Sequence, residues 1–342
     1  MFKIGNIIIS SNTVLAPMAG VNCTAFRIQC KKYGCGLVYT QMYKIHVLLE
    51  KFKEDMTGKK LKEFLNIKDI EHPIAIQLAG NIKDDWKLCI EILNSDPIKN
   101  LIDIIDINCG CPEPDIYSTE AGGYLMKETK NLQKIIQICV TNSKIPITAK
   151  IRSGWNNDSI NALETCKMLI KEKINAITIH PRTVLQKYGG KADWTIIKEI
   201  KSYCNNNNIT IPIIGNGDVS IPGHAKAMIE QTKCDAVMLG RISMKDPEMF
   251  ERINYILKYG KNKEKYTKDS KNPLKLISEF IELYENNEHR QSINEIKDHI
   301  IWLLTETKEK KYLKEIMKLN SIKEIKNKIK EIESEVKKSK VK

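Results

Sequence analysis

The sequence predicts an α/β fold: a (β/α)8 TIM barrel followed by a C-terminal all-helical domain. Three observations predict it. Eight short β-branched or apolar runs recur with helix-sized gaps between them, the pattern of parallel βαβ units. Those eight units occupy the first 250 or so residues, which suits a closed barrel better than an open doubly wound sheet. Beyond about residue 250 no strand-like run follows, while apolar residues keep a helical spacing.

The strand runs are Val14–Met18, Gly36–Gln41, Pro73–Gly80, Ile104–Gly110, Ile147–Arg152, Ala176–Arg182, Ile211–Asp218 and Ala236–Arg241. Amphipathic stretches at Asp84–Leu93, Leu132–Val140, Ile160–Ile170, Trp194–Ser202 and Gly223–Gln231 supply helices between them. Phe2–Ser10 reads as a small strand pair capping the barrel floor. In the C-terminal part, Leu274–Asn286, Ser292–Leu304, Lys310–Lys318 and Ile322–Val336 read as helices, the last followed by a frayed basic tail. The charged, glycine-punctuated stretch Lys258–Asn272 is the natural linker. The expected domains are therefore 1–255, the barrel, and 256–342, the helical domain.

Composition narrows the function classes. With 342 residues, 42% hydrophobic and 28% charged, the chain can bury a full core, which excludes wholesale disorder. No apolar run approaches the roughly 18 residues of a membrane span. The N-terminus lacks the basic-then-apolar order of a signal peptide. Ten cysteines at irregular spacing read as reduced thiols, and the expectation is a cytoplasmic protein. The net charge is +13, of which +7 falls on residues 251–342. Such a surface favours a polyanion, although lysine-rich usage from an AT-rich genome gives the same count, and charge alone does not separate the two.

Arginine is informative because there are only six, against 49 lysines. Arg152, Arg182 and Arg241 all fall at the C-terminal ends of strand runs, where the fixed fork of donors suits phosphate and planar carbonyl groups. Strand parity places further polar groups there. Ala75, Gln77 and Ala79 share one face, as do Asp106 and Asn108, then Thr148, Lys150 and Arg152, then Thr178, His180 and Arg182. Buried amides and ammoniums are costly without partners, so four runs sending them to the barrel mouth mark a site. Gly215-Asn216-Gly217-Asp218 and Gly240-Arg241 close the last two runs with glycines that allow backbone N–H groups to approach a phosphate. Neither a dinucleotide-binding glycine pattern nor a P-loop occurs.

Cys23, Cys30, Cys35, Cys109 and Cys111 match no zinc-ribbon or iron–sulfur spacing, so no metal is expected. Parity turns Cys109 outward into packing and leaves Cys111 on a loop at the mouth. An ordinary thiol, with a pKa of about 8.5, can donate a proton near neutrality.

At these residues the sequence resembles the tRNA-dihydrouridine synthases, flavin-dependent barrel enzymes. The matching motifs are Leu15-Ala-Pro-Met-Ala-Gly20, Ile76-Gln-Leu-Ala-Gly80, Asp106-Ile-Asn-Cys-Gly-Cys-Pro112, Ala121-Gly-Gly123, Lys150-Ile-Arg152, His180-Pro-Arg-Thr183 with Ala192-Asp-Trp194, Gly215-Asn-Gly-Asp218 and Gly240-Arg241. They run in family order over about residues 13–250, and the helical C-terminus resembles the family's tRNA-binding domain in character.

The resemblance implies FMN across the barrel mouth. Pro17 and Met18 would lie by the isoalloxazine, Gln77 at its pyrimidine edge, Lys150 near N1 and O2, and His180 nearby. Backbone around Asn216, Gly217, Gly240 and Arg241 would hold the phosphate. Hydride would pass from flavin N5 to C6 of a uridine flipped out of tRNA, with Cys111 protonating C5. Asn108 would orient the base, and Arg152 and Arg182 would contact the substrate. The implied reductant is NADPH or NADH, and the implied enzyme is a monomer. Asp115 stands where bacterial members commonly have lysine, and Pro181 where glycine is usual, which suggests a divergent, archaeal-type branch. The rival readings are an FMN barrel acting on a free pyrimidine, like dihydroorotate dehydrogenase, and a nucleic-acid-binding protein without turnover.

Overall fold

The computed structural model describes residues 1–260 and 272–341. A hairpin of β1 (Phe2–Ile4) and β2 (Ile7–Ile9) pairs antiparallel. Eight parallel strands follow: β3 (Thr13–Leu15), β4 (Val38–Lys44), β5 (Ile74–Ala79), β6 (Ile104–Cys109), β7 (Ile147–Arg152), β8 (Ala176–His180), β9 (Ile213–Asn216) and β10 (Ala236–Leu239). Neighbours pair in sequence order, β10 pairs β3, and a parallel bridge between Val14 and Leu37 closes the ring. The predicted barrel is thus present, with its floor hairpin.

Strand alternation divides the apolar residues into two clusters. Val14, Ala16, Leu37, Tyr39, Ala75, Ile104, Ala176, Ile214, Ala236 and Met238 fill the interior, and Ile4 and Ile9 of the hairpin join them from below. The other parity, such as Ile105, Ile107, Cys109, Ala149, Ile151, Ile177 and Ile179, packs outward against the helical layer. Each fully buried aliphatic side chain contributes roughly 1.5–3 kcal/mol. No helix among the described residues is long and apolar enough to cross a membrane.

Several elements differ from the sequence reading. The second barrel strand starts at Val38 and runs on to Lys44, with an irregularity in its pairing between Tyr39 and Met42. The run ending at Arg241 stops at Leu239, because Gly240 caps a short helix, Arg241–Lys245. Helices Thr24–Lys32, Ile45–Lys53 and Lys59–Leu65 were not predicted. Lys310–Lys318 is broken into a 3-10 turn, Lys308–Tyr312, and a single helical turn, Leu313–Ile316. The last helix continues to Val341, so the tail after Val336 is helical.

The expected boundary at 255/256 lies inside helix Met249–Tyr259, whose Ile253 and Ile256 are buried on either side of it. Of the expected linker, Lys258 and Tyr259 belong to that helix, and 261–271 lie outside the described residues. Helix Pro273–Asn287 starts with proline at its first position and Asn272 Oδ1 accepting the Lys275 N–H. It packs on helix Thr24–Lys32: Gln29 Nε2 donates to the Leu276 carbonyl at 2.9 Å and the Tyr33 hydroxyl to Glu279 at 2.6 Å. Phe26, Cys30, Leu276, Ile277 and Phe280 sit in one continuous apolar cluster. The helical region and the barrel therefore share a core.

Candidate active site

Parallel register builds the mouth in layers. Gln77, Asp106 and Thr148 are mutually aligned across β5, β6 and β7. One layer higher stand Asn108, Lys150 and Thr178, and above them Arg152 and His180. The sequence-predicted inward faces are thus brought together at the C-terminal ends of the strands.

Asp106, fully buried, accepts from Thr148 Oγ1 at 2.6 Å and from Gln77 Nε2 at 2.8 Å. Gln77 Oε1 in turn accepts from Asn108 Nδ2 at 2.7 Å, and the same amide nitrogen reaches Met42 Sδ at 3.2 Å. Asn108 Oδ1 accepts the N–H groups of Gly110 at 3.1 Å and Cys111 at 2.9 Å. The Asn108 amide is therefore spent on the loop that carries Cys111. Gly123 donates its N–H to the Cys111 carbonyl at 3.0 Å, and a Cβ at Gly123 would lie 2.7 Å from that oxygen, so only glycine allows the approach.

Cys111 is half-buried, and burial pushes its thiol up, with the Glu113 N–H opposing and Glu113 and Asp115 adding to the rise. It is a neutral thiol at physiological pH. Burial raises Asp106 to about 6, opposed by its bonds to Thr148 and Gln77 and by the Lys150 charge. Lys150 is pushed down to about 8, first by burial and then by Arg152, with Asp106 opposing. Its amine makes no hydrogen bond within the described residues, an ammonium at the mouth with donors to spare.

His180 is held well below the ordinary histidine range by burial and by Lys150, Arg152, Arg182 and Arg241 around it. Arg182 Nη1 lies 3.2 Å from His180 Nε2. The rest of Arg182 donates to the carbonyls of Gly189 and Gly190 and to Asp218 Oδ1 at 2.6 Å. Arg152 donates to the carbonyls of Gly110, Thr183 and Lys187. At 1% and 2% exposure, the side chains of Arg152 and Arg182 are enclosed by the protein. Arg152 holds three loop carbonyls at once and Arg182 two carbonyls and a carboxylate, so these two arginines tie down the loops around the mouth.

Arg241 is exposed, with its guanidinium 5.3 Å from the ring centre of Tyr188. Arg152 approaches the same ring at 5.6 Å. Tyr188 has no role in the sequence reading, because a lone tyrosine in a loop gives no periodic signal. Pro17 and Met18 follow β3, half-buried, and Met18 Sδ would lie 4.0 Å from a Cβ on Gly240. Asn216 Nδ2 braces the Met238 carbonyl at 2.9 Å, and Gly217 takes φ +112°, where a Cβ would press on His180. Gln77, fully buried with both ends of its amide already bonded, lies beneath the mouth rather than on its surface. All ten cysteines are free thiols.

Among known proteins, the family model described as "Dihydrouridine synthase (Dus)" matches residues 14–340. A probable tRNA-dihydrouridine synthase of Rickettsia bellii is 33% identical over 266 residues, 77% of this chain and 76% of that protein. A tRNA-dihydrouridine synthase B of Vibrio parahaemolyticus is 33% identical over 259 residues, 75% of this chain and 76% of that protein. Both relatives are bacterial, and they lend no support to an archaeal-type branch. Among solved structures, a histamine dehydrogenase from a Rhizobium species aligns with TM-score 0.54 at 15% identity, covering 76% of this chain and 47% of that one. Morphinone reductase aligns with TM-score 0.52 at 12% identity, covering 77% and 90%. At those identities the likeness is one of fold.

Proposed function

The chain belongs to the dihydrouridine synthase family, and from that premise we propose that it reduces the C5–C6 double bond of specific uridines in tRNA, with FMN as cofactor and NADPH or NADH as reductant. The observation that carries the reading is the pairing of a neutral Cys111 thiol, on a loop bracketed by Asn108, with a cationic mouth of Lys150, Arg241 and the buried arginines.

The mouth fits a flavin. Lys150, whose amine makes no hydrogen bond among the described residues, would offset negative charge on a reduced isoalloxazine. A Cβ at Gly240 would meet Ala16 and Met18 only at ordinary contact distances of 3.8 and 4.0 Å, and the glycine at 217 keeps backbone close to His180. Pro17, Met18, Lys150 and His180 would hold the ring system, and the backbone of Asn216, Gly217, Gly240 and exposed Arg241 the phosphate. When bound in its reduced form, FMN supplies the hydride for uridine C6 and is thereby oxidised.

The chain's own residues do the rest. Cys111 holds a proton for C5, and its raised pKa keeps that proton in place until carbanionic charge develops. Asn108 fixes the backbone that carries the thiol. Lys150 offsets anionic charge at the mouth. The basic helical domain, +7 over residues 251–342, supports tRNA capture through phosphate contacts.

The test is anaerobic. The flavin of the purified holoprotein is reduced, tRNA lacking dihydrouridine is added, and reoxidation is followed by visible absorbance. Rapid reoxidation with tRNA but not with free uridine or orotate is expected. A flavin that ignores tRNA and reacts with a free pyrimidine would transfer the case to a small-molecule reductase, and a folded protein that binds no flavin would end the reading.

A further inference from the structure

Below the mouth runs a chain of hydrogen bonds whose polarity is set from one end. Asp106 is a carboxylate, which accepts and does not donate. Gln77 must therefore turn Nε2 toward it, as observed at 2.8 Å. That leaves Oε1 facing Asn108, which must answer with Nδ2, at 2.7 Å. Asn108 Oδ1 is then aimed at the loop, where it accepts two backbone N–H groups, from Gly110 and Cys111. Each amide has two ends of opposite character, so reversing one reverses the next. A flipped Asn108 would set its NH2 against two N–H donors and release the loop.

We propose that Asp106 is a positioning residue for the reaction: through Gln77 and Asn108 it fixes the orientation of the loop that presents Cys111. The inference rests on the proposed role of Cys111 as proton donor. Its physical content, that a carboxylate two side chains away dictates the presentation of this thiol, is independent of the substrate. Burial makes the effect strong, since Asp106 and Gln77 are fully enclosed and water cannot substitute for a lost partner. Thr148 adds the means of testing it. Its hydroxyl donates to Asp106 Oδ1 at 2.6 Å but can equally accept. Asn at position 106 could thus donate to Thr148 while its own oxygen still accepts from Gln77. The Asp106→Asn variant removes the charge and keeps the polarity, whereas Asp106→Leu removes both.

The readout is alkylation of Cys111 by iodoacetamide across pH 7–10, where Asp106 is ionised, in the purified full-length chain, quantified by peptide mass spectrometry and normalised to folded fraction by circular dichroism. Asp106→Asn is expected to stay within about twofold of the parent. Asp106→Leu is expected to change the rate by at least about tenfold, as a freed loop exposes the thiol. Gln77→Met breaks the middle link with Asp106 in place, and is expected to reproduce the leucine phenotype even if Asp106→Leu fails to fold. In holoenzyme, kcat should fall in Gln77→Met with KM for tRNA little changed. Parent-like alkylation in Gln77→Met, or equal loss in Asp106→Asn and Asp106→Leu, would overturn the relay. Absence of any tRNA turnover in the parent, with the alkylation pattern intact, would instead refute the proposed function and leave the relay standing.

Discussion

Nη1 of Arg182 lies 3.2 Å from Nε2 of His180, and because a guanidinium can only donate, the imidazole nitrogen must accept. The proton of neutral His180 is therefore on Nδ1, leaving an N–H donor on the other edge of the ring. Burial and four cationic neighbours keep the ring neutral well below the ordinary histidine range. The sign is that of a group whose charged form is disfavoured by folding, so acidification through the ordinary range of about 6.5 does not protonate it. Long-range 1H–15N spectra should show the Nδ1–H tautomer without change down to pH 5. In Arg182→Met the ring should lose that fixed tautomer and titrate at higher pH. A parent ring that titrates near 6.5 would refute this account.

Arg182 also holds Gly189, Gly190 and Asp218, and Asp218 Oδ2 accepts the Ala192 N–H at 2.7 Å. The same Arg182→Met substitution should therefore loosen the loop from 183 to 192. It should lower stability by about 1–2 kcal/mol, because it leaves two part-buried carbonyl bonds and the half-buried Asp218 carboxylate without their donor. Urea unfolding gives the first number, and limited proteolysis at that loop gives the second. An unchanged midpoint with an intact loop would mean that the carbonyls find other partners.

Lys150 has the opposite character: burial and Arg152 disfavour its ammonium by more than Asp106 offsets. Its folded-state pKa of about 8 lies below the roughly 10.4 of an unfolded lysine. Below pH 8 the full penalty of a desolvated ammonium is present, and between 8 and 10 the folded state sheds the proton and gains relative stability. Lys150→Met should stabilise the apoprotein at pH 7 by an amount on the order of 1–2 kcal/mol, read as a raised thermal midpoint. The gain should shrink toward pH 10. FMN affinity should fall in the same variant. Stabilisation with unchanged flavin affinity would remove Lys150 from the cofactor site.

Cys111→Ala should keep the fold and the flavin, since the backbone N–H and C=O of residue 111 make the bonds that anchor the loop. Turnover should fall by about 10²–10⁴-fold, the usual contribution of a positioned general acid. Quantification of dihydrouridine in tRNA after incubation with excess enzyme gives the answer. Full activity would exclude the thiol as the proton source.

How far the sequence could be read depended on the range of the interaction. Alternation along a strand is local, so the inward set Gln77, Asp106, Asn108, Thr148, Lys150 and His180 was legible from spacing alone. The fate of a donor is not local. Arg152 and Arg182 sit at strand ends as a substrate-facing arginine would, yet their donors are captured by carbonyls 31 or more residues away or on the following loop, Arg152 by Gly110 and Thr183, Arg182 by Gly189 and Gly190. Asp106 was visible as a motif residue, but its control of Cys111 depends on the direction of two amides that no spacing encodes. The position of the expected domain boundary shows a related effect. Ile253 and Ile256 continue one apolar helix face across residue 255, so the composition shift and the structural division do not coincide.

That shared core bears on how the role of the helical domain can be tested. Removing residues 260–342 would uncover Phe26 and Cys30 and strip Gln29 and Tyr33 of their partners, so loss of tRNA binding in such a truncation would report unfolding. Surface charge offers a cleaner handle. On the last helix, Ile322–Val341, the residues Ile325, Ile329 and Ile332 are buried. Lys323, Lys330 and Lys337 lie exposed along another face, with no carboxylate partner among the described residues. They are seven residues apart, so they form one stripe. Replacing all three with glutamine should leave the thermal midpoint within about 1 °C, since exposed unpaired lysines contribute little to stability. If the stripe meets phosphate, the slope of log affinity for tRNA against log salt should shallow by about one unit per lysine. An unchanged slope at unchanged stability would move the RNA-binding surface to another face of the domain.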